Sequence, residues 1–358
     1  MTRYRIAVIA GDGIGPEVTS EGIKVLEALQ ESFKYSIDFD FFPWGCEYYH
    51  EHQRMMDEDG LKKLSAFDAI YLGAVGDPSV PDHLSLWGLL LPIRKGFDQY
   101  VNLRPIKLLP GAPCPLKDQK PEDIDILFVR ENTEGEYAGI GSFLNKGKED
   151  EKTEQTSVFT RKGTERIFRY AFEEAKKKRK SLTAVTKSNA LNYSMVYWDS
   201  LFQEVAKDYP NIETQLLHVD AMAMHMVKHP KMFDVVVASN LFGDILTDLG
   251  AALQGGMGFA AGGNINPKRD YPSMFEPIHG SAPDIKGKGL ANPFAAIWAA
   301  AMMMSHLGEI QASKIMMKAL RLTVAQKAVQ TPDLGGIHST REVGDEVVKN
   351  IAIVKDTA

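Results

Sequence analysis

Cysteine is nearly absent: the 358-residue chain holds two, Cys46 and Cys114. Two thiols cannot build a disulfide framework and form no CxxC zinc pattern, which points to a reducing, cytoplasmic setting. Long apolar runs are missing too. The longest, Phe294–Met304, is eleven residues, too short to cross a bilayer. The stretch Ile6–Ala10 meets Gly-Asp-Gly after five residues and is expected to be a first strand, not a signal peptide. Positive charge is not in excess: 41 Lys and Arg against 47 Asp and Glu leave a net −6, with no drive toward nucleic acid or anionic membrane. Repeats, low-complexity tracts and a Pro/Gly/Ser linker are absent. The two domains suggested by the length, at roughly 150 residues each, would therefore exchange chain more than once. What is present, 44% hydrophobic and 25% charged residues, suits a globular fold with a large core.

Short apolar segments recur with helical patterns between them. Ile6–Ala10, Ala69–Leu72, Ile124–Val129, Leu182–Val185, Leu216–Val219 and Val235–Ala238 read as strands, and the alternation predicts an α/β protein with a parallel or mixed sheet. Polar residues follow several strand carboxyl ends: Gly73, Arg130, Lys187 and Asp220. Open α/β sheets place ligands there. The polar segment Gly139–Gln155 breaks the rhythm and is expected to be a loop or protruding arm.

In GDGIGPE, Gly11, Gly13 and Gly15 give GxGxG, not the dinucleotide spacing GxGxxG, and no acidic residue is seen to end a second strand some twenty residues on. A tight strand-to-helix turn and a nucleotide loop both stay open. In SNLFGDILTDLG, Asp244 and Asp248 are four apart and share a helix face. Leu241, Phe242, Ile245, Leu246 and Leu249 predict that this helix is largely buried, and a buried carboxylate pair needs a cation. Asp220 could add a third oxygen; three carboxylates without a His or Cys cluster suit Mg²⁺ or Mn²⁺. Arg94, Arg104 and Arg130 could hold a dicarboxylate through bidentate pairs. Lys187 could be a base, its pKa lowered by a nearby metal, and Tyr137 an acid. The nine basic residues of Arg161–Lys180 lie opposite an apolar stripe of Ile167, Phe168, Ala171, Phe172 and Ala175, so they read as a solvated helix face. The methionines of AMAMHM (221–226) read as core or subunit interface.

The chain resembles the metal-dependent β-decarboxylating dehydrogenases, the family of isopropylmalate, isocitrate, homoisocitrate and tartrate/D-malate dehydrogenases. The matching strings are GDGIGPE, GAVGDP, FDQYVNLRP, VRENTEGEY, TKSNA, HVDAMAM, VVASNLFGDILTDLG, FEPIHGSAPDI and LANP, in family order over nearly the whole chain. The resemblance implies an isopropylmalate-dehydrogenase-like two-domain α/β fold with a mixed sheet, not a Rossmann fold. Residues 1–103 plus 256–358 would form a large cofactor-binding domain. Residues 104–255 would form a small dimerisation and substrate domain with an arm near 139–155.

It also implies roles. Arg94, Arg104 and Arg130, with Leu90 and Leu91, would hold the substrate. Asp220, Asp244 and Asp248 would bind Mg²⁺ or Mn²⁺, with K⁺ as an accessory cation. Lys187 and Tyr137 would handle protons. The site would be shared across a homodimer, with Lys187 and Asp220 contributed by the partner subunit. Ile14, Ala74, Val75, Asn189, His279, Gly280, Ser281, Ala282, Asp284, Ile285 and Asn292 would bind NAD; the Asp284 carboxylate would accept the ribose hydroxyls and repel a 2′-phosphate. The apolar Trp87–Leu91 disfavours a third substrate carboxylate and hence isocitrate, and DHLSLWG (82–88) resembles the tartrate/D-malate group. Pro92-Ile93 fits neither group's pattern. The expected reaction is NAD-dependent oxidation and decarboxylation of a 2-hydroxy dicarboxylic acid, D-malate to pyruvate and CO₂ or tartrate oxidation. The alternatives are 3-isopropylmalate oxidation in leucine biosynthesis and a catalytically silent regulatory subunit.

Overall fold

The computed structural model describes residues 2–356. In chain order its strands are β1 (Thr2–Gly11), β2 (Tyr35–Phe41), β3 (Ala69–Ala74), β4 (Val101–Lys107), β5 (Asp125–Glu131), β6 (Gly135–Leu144), β7 (Lys152–Val158), β8 (Ser181–Thr186), β9 (Glu213–His218), β10 (Val235–Ala238), β11 (Ala261–Ile265) and β12 (Ser273–Pro277). The chain divides into two compact units. Unit 1 is Met1–Gln99, Lys107–Glu122 and Ala251–Ala358; unit 2 is Tyr100–Ile106 and Asp123–Gly250. The boundaries expected at 103/104 and 255/256 therefore move. Residues 107–122 belong to unit 1, where a side chain at Gly111 would strike the backbone at Val324.

In unit 1 the strands pair in the order β2-β1-β3-β12-β11, parallel except for antiparallel β11–β12. Ile6, Ala7, Val8 and Ile9 are all fully buried, as a parallel strand covered on both faces requires. Register sets Gly11 opposite Ala74, so the GDGIGPE turn and the loop after β3 leave the sheet side by side. The helix Gly15–Phe33 follows, with Pro16 in its first turn. The apolar run became the helix Phe294–Leu307, buried nearly all round. Tyr71 donates to the Ala296 carbonyl at 2.8 Å. Strand β2 was missed in the sequence. Its acids Asp38 and Asp40 pair with Arg3 and Arg5 at 2.5 and 2.9 Å, so the second strand does carry carboxylates, Asp40 one residue before its end at Phe41, each already matched.

In unit 2 the order is β4-β5-β10-β8-β9, with β5, β10, β8 and β9 parallel. The register places Arg130 beside Ala238 and Thr186 beside His218. Arg130, Asn240, Lys187 and Asp220 thus emerge at carboxyl ends or in the turns just beyond. Asp220 stands in the first turn of the helix Val219–Lys228, not on a strand. The segment expected as a loop or arm is an antiparallel ribbon of β6 and β7 with exposed faces. The helix Arg161–Lys177 buries the predicted stripe, while Arg169 pairs with Glu165 and Asp208 and Lys176 with Glu173. Met222 and Met226 are buried and Met224 is exposed. Among the described residues no helix is long and apolar enough to cross a membrane.

Candidate active site

A charged cluster in unit 2 forms where β5 ends against the helix Asn240–Leu253. Arg130 closes the strand and is 1% exposed. Its Nε and Nη2 donate to Asn240 Oδ1 at 3.0 and 2.7 Å, and its Nη1 donates to Asp244. Arg104, also buried, comes from β4. Its Nε donates to Asn102 at 2.8 Å and its Nη1 to Thr247 Oγ1 at 2.5 Å, and Nη1 lies 3.4 Å from Asp244 and 3.9 Å from Asp248. The two carboxylates share a face, as their spacing requires. They are not buried, however: Asp244 is 37% and Asp248 60% exposed in side chain, and Ile245 between them is 59% exposed. The helix is largely buried, as expected, but the carboxylate pair lies on its open side. One face packs Phe242, Leu246 and Thr247, and the other is open. Arg104 and Arg130 are cations that these carboxylates meet within unit 2.

Tyr137 reaches the same cluster from β6, donating to Asp244 Oδ2 at 3.1 Å with the Arg130 guanidinium 5.8 Å from its ring centre. Burial, then the Asp244 charge, raises its phenol above the ordinary value, against the pull of Arg130. Partial desolvation, then Asp244, likewise raises Asp248 against Arg104. The turn between Arg130 and Tyr137 is held by Glu131. Its buried carboxylate accepts the Thr133 and Glu134 N–H groups at 3.0 and 2.8 Å, and burial raises its pKa.

Lys187, just past β8, donates to Asp220 at 2.5 Å, and that contact holds the exposed Asp220 carboxyl below its usual range. This pair does not join the other carboxylates: among the described residues no three His, Cys, Asp or Glu side chains gather as a metal site. The donors suit a hard cation in kind, being carboxylate oxygens. In number, one chain brings two to one place.

In unit 1, Arg94 does not stand open. Its Nη2 donates to Glu276 at 2.8 Å, and Asn264 donates to the same oxygen at 2.7 Å. The Arg94 Nε is buried without a partner, a donor left over for a ligand. Leu91, expected against substrate, is 2% exposed and belongs to the core, whereas Leu90 is half-buried. The helical stretch Asp82–Gly96 widens into a π-helical turn at Leu86–Leu90, where the Leu91 N–H reaches the Leu86 carbonyl. Pro92 explains the widening, since it cannot donate to the turn before it and its ring crowds that turn.

Some of the expected cofactor residues of unit 1 are joined by backbone hydrogen bonds. The Ile14 N–H donates to the Ser281 carbonyl at 2.8 Å, and a Cβ at Gly13 would fall 1.9 Å from that oxygen. The Asp12 N–H donates to the Ala74 carbonyl, and Asp12 accepts the Gly76 and Cys46 amides. Val75 packs half-buried on the adjoining core. Ala282 is left-handed, at φ 41°, and turns the chain into the short Pro283–Ile285 helix, where Asp284 is exposed. Burial lowers the His279 imidazole below its ordinary value, so it is neutral near pH 7. Its Nδ1 lies 3.0 Å from the Gly280 carbonyl, which requires the proton on Nδ1 and leaves the buried Nε2 unpartnered. That orphaned acceptor, with open space around Gly280, fits a bound dinucleotide. Asn292 is occupied, donating to Asp333 and accepting the Phe294 N–H, each at 3.0 Å. Asn189 is exposed in unit 2, after Lys187. A cavity of about 360 Å³ in unit 1, bounded by Tyr4, Arg269 and His306 among others, contains none of these residues.

Sequence reasoning missed Asn240, Thr247 and Gly243; it put Glu276 at the start of the cofactor loop and did not foresee its pairing with Arg94. A Cβ at Gly243 would meet Arg130 Cγ at 2.6 Å and Cβ at 2.8 Å, so a glycine inside the helix lets the arginine lie flat. A glycine in a helical pattern was the available signal.

A family profile described as isocitrate/isopropylmalate dehydrogenase matches residues 5–347. The D-malate dehydrogenase [decarboxylating] of Escherichia coli (strain K12) is 52% identical over 359 residues, covering 98% of this chain and 99% of that protein. The tartrate dehydrogenase/decarboxylase of Pseudomonas putida is 49% identical over 358 residues, covering 98% of each. Among solved structures, isocitrate dehydrogenase from Methylococcus capsulatus superposes with a TM-score of 0.88 at 36% identity, over 97% of this chain and 99% of that one.

Proposed function

The chain belongs to the isocitrate/isopropylmalate dehydrogenase family, and we propose that within it the chain oxidises and decarboxylates D-malate to pyruvate and CO₂, with tartrate as a related substrate. It is a dehydrogenase of the CH–OH class. The observation that carries the substrate reading is the cluster in which Arg104 and Arg130 both close on Asp244 beside Asp248 and Tyr137. The D-malate and tartrate dehydrogenase/decarboxylases that resemble this chain at 52% and 49% identity, each over 98% of it, support that reading.

NAD and Mg²⁺ or Mn²⁺, with K⁺ as accessory, complete the proposal. Asp244 and Asp248 would hold the divalent ion from one subunit and Asp220 from its partner. His279, Ser281, Asp284 and Ile285 would hold NAD. When bound, NAD supplies the hydride acceptor and the divalent ion a Lewis acid at the substrate's C2 oxygen. The chain's own groups do the rest. Arg94, Arg104 and Arg130 bind the substrate carboxylates and fix their orientation. Lys187 takes the C2 hydroxyl proton, directly or through one water, as C2 is oxidised. Oxaloacetate, a β-keto acid, then loses CO₂, and Tyr137 returns a proton to C3 of the enolate.

A homodimer follows from this reading, because Lys187 and Asp220 pair with each other and need a second copy to reach the other carboxylates. Exposed Ile140, Phe143 and Leu144 on the ribbon, with Met224 and Ile245, are apolar surface such a copy would cover. The two free thiols suit a reducing cytoplasm. Isopropylmalate is the second reading, favoured by the half-buried Leu90 as an apolar contact. A silent regulatory subunit has no use for the retained arginines, aspartates, Lys187 and Tyr137 together.

The test is NADH production from D-malate, L-tartrate and 3-isopropylmalate, each with Mn²⁺ and K⁺. D-malate should give the highest kcat/KM. A higher value for isopropylmalate would reverse the assignment.

A further inference from the structure

We propose that Glu17 is a positioning residue of the dinucleotide site: its carboxylate clamps the loop that carries Asp284 and so sets affinity for, and choice of, the cofactor without touching the reacting atoms. The inference rests on the NAD reading above. In the sequence, Glu17 reads as an acid at a helix start. In the structure its side chain leaves the helix. Oε1 accepts the Gly287 N–H at 2.5 Å and Oε2 the Gly289 N–H at 3.0 Å, 270 and 272 residues away in the chain.

The loop has little else to hold it there. Asp284, Lys286, Gly287 and Lys288 are exposed, and a Cβ at Gly287 or Gly289 would touch nothing within 4 Å. Both glycines are left-handed, at φ 74° and 64°, so the local backbone has no helical ladder. Apart from short turns within the loop, its anchors lie at the ends. The Ile14 N–H donates to Ser281 on one side, and Thr340 donates to the Gly289 and Ala291 carbonyls at 2.8 and 2.7 Å on the other. Between them stand Glu17 and an exposed Lys286–Glu47 pair at 2.8 Å, which is solvent-screened and weak. Two charge-assisted hydrogen bonds to one carboxylate are the stronger hold. Asp284 lies three residues before the first of them, so its position follows the clamp. GDGIGPE thereby serves the cofactor through its glutamate, although its glycine spacing is not that of a phosphate loop.

The test compares Glu17→Gln and Glu17→Ala with wild type. NAD binding to wild type is titrated first, without turnover. Glutamine keeps the shape and one acceptor oxygen, so it remains informative where alanine impairs folding. Amide exchange at Gly287 and Gly289 should accelerate in both variants. The NAD dissociation constant and the KM for NAD should rise about five- to tenfold, the scale of one net hydrogen bond. The preference for NAD over NADP should shrink, while kcat and the KM for D-malate stay within about twofold, since the reacting groups are untouched. A residue that merely stabilised its helix would not produce this split. Unchanged exchange, unchanged NAD affinity, or a parallel fall in kcat and D-malate affinity would overturn the proposal. Absence of NAD binding in wild type would overturn it together with the cofactor reading. Failure confined to the variants would leave NAD in place and remove only the clamp.

Discussion

Replacing Gly243 by alanine sets two effects of opposite sign against each other. Glycine inside a helix costs about 1 kcal/mol relative to alanine, so the substitution should help the helix Asn240–Leu253. The new Cβ, however, would stand 2.6, 2.8 and 3.1 Å from Arg130 Cγ, Cβ and Cδ. These atoms lie near the β5 backbone and cannot swing aside like a chain end. Arg130 is also fixed at its tip by Asn240 and Asp244. Overpacking of this kind costs about 1–3 kcal/mol, so the net loss of stability is roughly 0–2 kcal/mol, a few degrees in Tm at most. Function should suffer more. A guanidinium displaced by about 1 Å lowers turnover by on the order of 10²-fold. The expected result is therefore kcat/KM for D-malate down about 10²-fold, with NAD binding unchanged and a folded protein. Steady-state kinetics beside a thermal melt would check it. A variant with raised Tm and wild-type kcat/KM would show that Arg130 has slack or no part in the reaction.

Four further outcomes test the site. Tyr137→Phe should cut pyruvate formation by about 10²–10⁴-fold and spare oxidation more, so oxaloacetate and NADH should accumulate ahead of pyruvate; an unchanged NADH-to-pyruvate ratio counts against the tyrosine as the acid. Because burial and Asp244 raise that phenol, its protonated, active form persists until pH climbs through the raised pKa, and any alkaline decline of the decarboxylation step due to Tyr137 should lie above that of an ordinary tyrosine. Lys187→Met should abolish hydride transfer yet leave NAD titration intact, and normal turnover would reject it as the base. Asp284→Lys combined with Ile285→Tyr should turn the preference toward NADP; an unaltered ratio of kcat/KM for the two cofactors would remove Asp284 as the selector.

What could be read from the chain and what could not follow from the range of the interactions involved. Strands buried on both faces announce themselves as apolar runs, and Ile6–Ala10, Ala69–Leu72 and Val235–Ala238 all fall on strands. Strands β4, β11 and β12 do not, because VNLRPIK, AGGNI and SMFEP carry proline, glycine or charge whose partners lie far off in sequence. The helical period put Asp244 and Asp248 on one face, a local fact. Their burial was misjudged because hydrophobic neighbours such as Ile245 do not tell which face meets protein. Arg94, Arg104 and Arg130 were picked out by residue type and resemblance. That Arg94 meets Glu276, and that Arg130 passes flat over Gly243, depends on contacts across 182 and 113 positions that no spacing rule reaches. Glu17 is the clearest case. Local logic explained it as a helix-start acid, and that explanation was sufficient on its own terms. The carboxylate turns away because Gly287 and Gly289 present bare N–H groups on a loop without packing, a stronger demand than the macrodipole of its own helix. A motif recognised by its glycines can thus owe its function to the acid that ends it.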